Sequence, residues 1–258
     1  MSFLVSGCTD MARRLIVSVA MLVMLTVVIG GVYPLVVTGI AGLLFPHKAD
    51  GSLVYHDGRL VGSSLLGQNF TTASGLPLAQ YFQPRPSAAG AAGYDPTSSG
   101  ASNLGPSNPA LVGNPANRNS YSTPTDPYCV PVQATSSTGT QLVDKQGRPV
   151  YEKNPNGTFV CDPNTIPERA IAYRRFNGLP PDAPVPVDAV TASGSGLDPD
   201  ISLANALDQA PRVAHARHLA ATEVIALVHR NASGRDLGFL GERFVNVLQV
   251  NLDLAKLR

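Results

Sequence analysis

The sequence predicts a single N-terminal transmembrane helix followed by one extracytoplasmic α+β domain with a Pro/Gly-rich loop region. Three observations predict it. Residues 15–45 contain no Asp, Glu, Lys, Arg or His, well beyond the ~18–20 apolar residues that a membrane-crossing helix requires. The rest of the chain mixes helix-spaced and strand-like apolar patterns. Its 24 Gly and 22 Pro argue for much looped structure and against a helical bundle.

The apolar run comes first. As a continuous helix it would measure ~46 Å at ~1.5 Å per residue, against a hydrocarbon core of ~30 Å. A break is expected at Gly30-Gly31 and Pro34, because proline lacks a backbone donor and crowds the preceding turn. The span is therefore placed at residues 15–37, with an apolar collar to 45. Arg13 and Arg14 precede it, and cytoplasmic flanks favour Arg and Lys. Residues 1–14 are then a cytoplasmic tail, and 46–258 lie outside. A secretory signal peptide shares these features, but its apolar region is usually ~7–15 residues. Met11 opens a second start-like sequence, Met-Ala-Arg-Arg, so residues 1–10 are either a short tail or a misassigned start. The string LVSGC at 4–8 imitates a lipidation box, yet its cysteine precedes the apolar run instead of following it.

Net charge is +1, with 14% charged residues, so no electrostatic footprint for nucleic acid exists. Beyond the membrane, two short apolar runs flank Asp57-Gly58, a strong hairpin signal because both residues tolerate positive φ. Residues 63–70 continue extended or turn. From 76 to 131 the composition shifts to Pro, Gly, Ser, Ala and Asn, by default a flexible linker. The string YFQPRPS at 81–87 argues instead for an ordered, partner-contacting loop, since it carries two aromatics and a guanidinium between prolines.

Cys129 and Cys161 frame a small hairpin excursion with turns at 144–148 and Asn156-Gly157. In an oxidising compartment these thiols would pair, while a metal site with two cysteines and no nearby His pair is a poor zinc set. Residues 166–176 read as a helix stopped by Asn177-Gly178 and Pro180-Pro181. The loop Ser193-Gly194-Ser195-Gly196-Leu197-Asp198 reads either as a structural turn or, ahead of a helix start, as an anion cradle. It lacks both the P-loop and the Rossmann spacing. Helices are expected at 203–209, restarting at Pro211, and at 222–230. Residues 245–252 read as a strand. His215 and His218, three apart, read as surface or capping residues more readily than as metal ligands. There is no nucleophile elbow, HExxH motif or paired-cysteine metal set. An ectoenzyme would have to draw on Asp188, Asp198, Asp200, Arg212 and Arg217. A membrane-anchored extracytoplasmic binding protein is the other alternative.

An ordered series of motifs resembles the KdpC family, the C subunit of the bacterial Kdp potassium-transporting ATPase. It comprises YPLVVTGI at 33–40, GSSLLGQ at 62–68, YF at 81–82, RPSA at 85–88, SNLGPSNP at 102–109, VPVD at 185–188, SGSGLDPDIS at 193–202, QAPRVA at 209–214 and VNVL at 245–248. The resemblance covers the chain from Met11 onward, except for an apparent insertion at 114–163 that includes both outer cysteines. It implies a non-catalytic accessory subunit in the bacterial inner membrane. The implied partners are a channel-like K+ subunit (KdpA), a P-type ATPase subunit (KdpB) and a small single-span subunit (KdpF), with membrane lipid around the anchor. ATP and K+ would be handled by the complex, with no covalent cofactor on this chain. The family is described as a catalytic chaperone raising the ATP affinity of the ATPase subunit. Its proposed nucleotide contacts would fall here on Ser193, Gly194, Ser195, Gly196, Leu197, Asp198 and Gln209. The outward topology conflicts with that role and fits a domain over the channel-like subunit, with Tyr81, Phe82, Arg85, Ser102 and Asn103 as its contacts.

Overall fold

The computed structural model describes residues 2–112, 132–136, 140–147, 149–155, 160, 162, 164–235 and 237–257, without the side chains of 2–10 and 109. Cys129, Cys161 and the Asn156-Gly157 turn lie outside the described residues, as does the side chain of Cys8. Two compact units make up the chain, residues 1–63 and 64–258.

The first unit is the apolar helix and a hairpin. Helix α1 (Ser2–Val27) passes through a π-helical turn (Val28–Val32) into α2 (Tyr33–Leu44). The break expected at Gly30-Gly31 and Pro34 is thus a widened turn inside one continuous helix. Tyr33 N–H bonds Val28 O, five residues back, and this wider turn accommodates the proline without interrupting the helical path. The apolar collar is likewise helical to Leu44, and residues 11–44 are long and apolar enough to cross a membrane. A one-turn helix α3 (Pro46–Ala49) leads to β1 (Leu53–His56) and β2 (Arg59–Ser63), paired antiparallel. Asp57 and Gly58 take φ of 49° and 74° in the turn, as the Asp-Gly signal requires.

The second unit packs helices beside a small sheet. A short turn of helix, α4 (Pro109–Val112), ends the first loop-rich stretch. Helix α5 (Ile166–Asn177) starts at Thr165, whose side chain accepts from Glu168 N, and stops at Gly178 with φ 67°. One turn, α6 (Val187–Val190), precedes the Gly-Ser loop and β3 (Asp200–Ser202). Then come α7 (Leu203–Arg217), α8 (Ala221–Asn231), β4 (Ala232–Ser233), β5 (Phe244–Asn246) and α9 (Val247–Leu254). The sheet order is β3-β5-β4, with both pairs antiparallel.

Two expectations fail here. Helix α7 runs unbroken through Pro211, because Ala206, Ala210, Val213 and Ala214 recur on one buried face and that packing outweighs the missing donor. Residues 247–254 are helical, although their β-branched content suggested a strand. Asn246 caps the helix by accepting from Gln249 N, and the buried positions Val247, Val250, Asn251 and Leu254 follow helical spacing. Val247, Val250 and Leu254, with Ile201, Val224, Leu227, Val228, Val245 and Phe82, belong to the main core.

The excursion around 132–160 is also not a simple hairpin. Leu142 N donates to Ala134 O, Ala134 N to Val150 O and Val150 N to Leu142 O, closing a three-way ring. Val132, Glu152 and Val160 close a second one in the same manner. The expected turn at Asp144 is present, with Gly147 N bonding Asp144 O.

The two left-handed helix ends give a matched prediction. His218 holds φ 57° after α7, a conformation that disfavours a side chain, whereas Gly178 occupies the same position after α5. His218→Gly is expected to stabilise the detergent-solubilised protein by about 0.5–1 kcal/mol, and Gly178→Ala to destabilise it by about 1 kcal/mol. Chemical denaturation midpoints read both.

Candidate functional site

The best-built polar site of the second unit surrounds residues 79–83, a turn at 79–81 followed by irregular backbone at 82–83, none of it paired in a described sheet. A buried backbone must have its donors and acceptors paired, and here helix side chains supply the pairing. Asn251 of α9 accepts from Phe82 N at 2.9 Å and donates to Phe82 O at 3.0 Å. Gln209 of α7 does the same for the next residue, accepting from Gln83 N at 2.7 Å and donating to Gln83 O at 3.1 Å. Arg212 donates to the carbonyls of Ala79 and Tyr81, and Arg217 to that of Gln80 at 2.9 Å. Every carbonyl from 79 to 83 therefore accepts from α7 or α9. Two carboxamides stand in for the missing neighbouring strands.

Gln209 is 2% exposed. Its second donor goes to Asn205 Oδ1 at 2.8 Å, and its oxygen also accepts from Arg212 Nη2 at 2.8 Å. With two donors and two acceptor positions, the amide is fully engaged within the protein. The network continues outward from there. Asn205 Oδ1 accepts from Tyr173 Oη, and Asn205 donates to Asp188, which also takes Ser202 N and Oγ at the start of α7. Burial, reinforced by the nearby Asp208 and Asp188 carboxylates, pushes the Tyr173 hydroxyl well above its ordinary value. Burial also lowers the Arg212 guanidinium to about 10. That side chain meets neutral oxygens, including Asn177 Oδ1 at 2.9 Å, and sits 4.3 Å from the Phe176 ring centroid.

Sequence reasoning placed Tyr81, Phe82 and Arg85 at a partner surface, and the structure separates them. Phe82 is fully buried in the core, so its ring is a packing residue of this chain itself. Tyr81 is half-buried between the Phe70 ring, 5.4 Å away, and the Arg217 guanidinium, 5.3 Å away. Arg85 pairs with Asp198 at 2.9 Å and also reaches Thr191 O. Two residues assigned on the sequence to different roles thus form one ion pair. Ser102 and Asn103 are exposed, the latter with φ 55°.

The Gly-Ser loop leads into β3 rather than directly into a helix, so no helix N-terminus stands behind it. Its carbonyls point into the domain. Ser195 O accepts from Gly100 N, Gly196 O from Ser87 Oγ at 2.6 Å, and Leu197 O from Gly67 N. Leu197 N bonds Ser195 Oγ. Tyr94 Oη bonds Arg85 O and packs beside the loop, its hydroxyl pushed up by burial. Gly194 and Ser195 are exposed, whereas Ser193, Gly196 and Leu197 are buried. An open groove of about 1030 Å³ beyond Arg85 and Asp198 is lined by Asp188, Asp200, Arg243 and Phe244 among others. Burial raises the Asp200 carboxyl there. No group of three or more metal-ligating side chains occurs among the described residues.

Asn251, Asn205 and Tyr94 escaped the sequence reading. Asn251 was findable, since it lies four residues from Val247 on the apolar face of a helical pattern. The other two carry no local signal, because nothing in the residue types around them marks their partners.

One membrane-length helix together with an α+β domain, whose charged and amide side chains bind its own backbone, is consistent with a membrane-anchored protein. More narrowly, the chain belongs to the KdpC family. The family model described as K+-transporting ATPase, c chain, matches residues 15–143 and 163–256. Similar proteins include the potassium-transporting ATPase KdpC subunit of Mycobacterium bovis BCG, 41% identical over 247 residues, which is 96% of this chain and 100% of the relative. Those of Methylibium petroleiphilum and Gemmatimonas aurantiaca are each 39% identical, over 92% and 96% of this chain and 94% of each relative.

The glycine pattern of the loop yields a sharp contrast. A Cβ on Gly196, at φ 68°, would lie 2.6 Å from Gly100 O and 2.8 Å from Ala89 Cβ, while one on Gly194 would meet nothing within 4 Å. Gly196→Ala is expected to cost at least about 3 kcal/mol, from strain plus overpacking. Gly194→Ala should change stability by less than about 0.5 kcal/mol. Thermal unfolding of the two solubilised variants checks this.

Proposed function

We propose that this chain is an accessory, non-catalytic subunit of an ATP-driven K+ import complex, and that its domain stabilises the assembly from outside the cell membrane. Family membership supplies the complex. Its partners are then the channel-like, P-type ATPase and small single-span subunits of that complex. One observation carries the non-catalytic reading: the side chains available for chemistry act as staples. Asp188 holds the start of α7, Asp198 holds Arg85, and Arg212 and Arg217 hold residues 79–81. Arg13 and Arg14 ahead of the helix favour a cytoplasmic N-terminus, which puts the domain on the side away from cytoplasmic ATP. The exposed pair Ser102 and Asn103 is assigned to the contact with the channel-like subunit.

Direct nucleotide contact, raising the ATP affinity of the ATPase subunit, is the second reading. Exposure of Gly194 and Ser195 favours it; the full engagement of Gln209 opposes it, since binding there would have to break existing bonds.

The test is Asn103→Cys in intact cells, with the native cysteines replaced and a membrane-impermeant thiol reagent. Labelling is expected when the chain is made alone, and at least several-fold protection when the other subunits are co-expressed, whether or not ATP is depleted. Labelling only after the membrane is opened would overturn the topology. Equal labelling with and without the subunits would remove this loop from the interface.

A further inference from the structure

The first unit carries, besides its long apolar helix, an exposed apolar face on its hairpin. Its hairpin cannot swing freely away from the helix exit. Ser52 N donates to His47 O at 2.8 Å, and Ser63 Oγ donates to Gly51 O at 2.7 Å. Both strands are thereby tied, at their open end, to the turn that follows α2 and α3. Helical backbone continues from Met11 to Leu44 and turns at Phe45, where φ is −137° and ψ 54°. The uncharged run, ~46 Å as helix, exceeds the ~30 Å hydrocarbon core but matches the ~40–45 Å membrane with its headgroup layers. A helix crossing with the ordinary modest tilt keeps Phe45 within the headgroup layer, and the hairpin follows it at that level.

The pairing makes the hairpin two-faced. Tyr55 lies directly opposite Leu60, and Leu53 is two residues before Tyr55, so all three share one side. They are 61%, 56% and 36% exposed, respectively. Val54, His56 and Arg59 occupy the other side. A lone two-stranded hairpin is marginal in water, and one presenting a Leu-Tyr-Leu face is better accommodated by an apolar layer. Tyrosine favours the membrane–water boundary, where its ring sits among lipid glycerol groups and its hydroxyl remains wet.

We propose that this hairpin is a membrane-interfacial element, its Leu53–Tyr55–Leu60 face resting on lipid in the headgroup layer and its His56–Arg59 face turned to water. Contact of this kind, about 5–10 Å deep, fixes the attitude of the helix exit without any protein partner. The occupant is lipid, because the chain's own connectivity holds the face at the bilayer whatever else is bound.

The chain contains no Trp, so one introduced indole reports alone. The full-length Tyr55→Trp, Leu60→Trp and Arg59→Trp variants are reconstituted in phosphatidylcholine–phosphatidylglycerol vesicles, with or without lipid brominated near the headgroup end of its acyl chains. The first two are expected to show blue-shifted emission, at least two-fold quenching by bromolipid and little by aqueous iodide. Arg59→Trp should show the reverse. Water-like emission with strong iodide quenching at both 55 and 60 overturns the proposal. So does a blue shift that appears only after purified partner subunits are added, since the occupant would then be protein. Leu60→Trp decides the matter if Tyr55→Trp fails to insert.

Discussion

The second unit depends on pairing the backbone of a turn and of the irregular residues after it, which have no neighbouring strand. Residues 79–83 lie against α7 and α9 and carry the Phe82 ring into the core. Leaving even one such buried group unpaired costs about 1–3 kcal/mol. Gln209 and Asn251 meet this by presenting a carboxamide to both N–H and C=O of consecutive residues. A carboxamide is the side chain suited to this, because it holds a donor and an acceptor in one plane, as a peptide does. Neither Glu nor Leu of similar size provides both.

From that clamp the remaining architecture follows outward. Gln209 also bonds Asn205, which binds Asp188 and Tyr173, so α5, α6 and the start of α7 are fixed to the clamp by one chain of hydrogen bonds. Downstream of it, Arg85 and Ser87 attach the same segment to the Gly-Ser loop. The loop acts as a receiving surface of carbonyls, with glycine at 196 because Ala89 and Gly100 approach too closely for a Cβ. A polar network of this sort rigidifies when all its members are satisfied. That suits the structural role proposed for this subunit, in which the residues most suggestive of chemistry serve the fold.

Parts of this were legible in the sequence and parts were not, for physical reasons. The Asp57-Gly58 turn and the end of α5 at Gly178 were readable because backbone conformations with positive φ select residue types locally. Helix α9 was misread because Val at 245, 247 and 250 favours strands, while the capping Asn246 and the buried Asn251 that set its phase are weak signals beside them. Pro211 suggested a restart that the packed face of α7 overrides. The site itself was visible only as motifs. Gln209, Arg85 and the Gly-Ser loop could be singled out, yet their bonds run across more than a hundred residues, and no local pattern encodes such partners.

Amide hydrogen exchange in the assembled complex, with and without ATP, tests the central claim most directly. The account predicts that the amides of Phe82, Gln83, Gly67, Gly100 and Leu197 are strongly protected without nucleotide and that ATP leaves their protection unchanged. Rapid exchange at Gln83 and Leu197 that becomes slow on adding ATP would contradict it, because the Gln209 clamp and the Gly-Ser loop would then be completed by a ligand rather than by the chain itself.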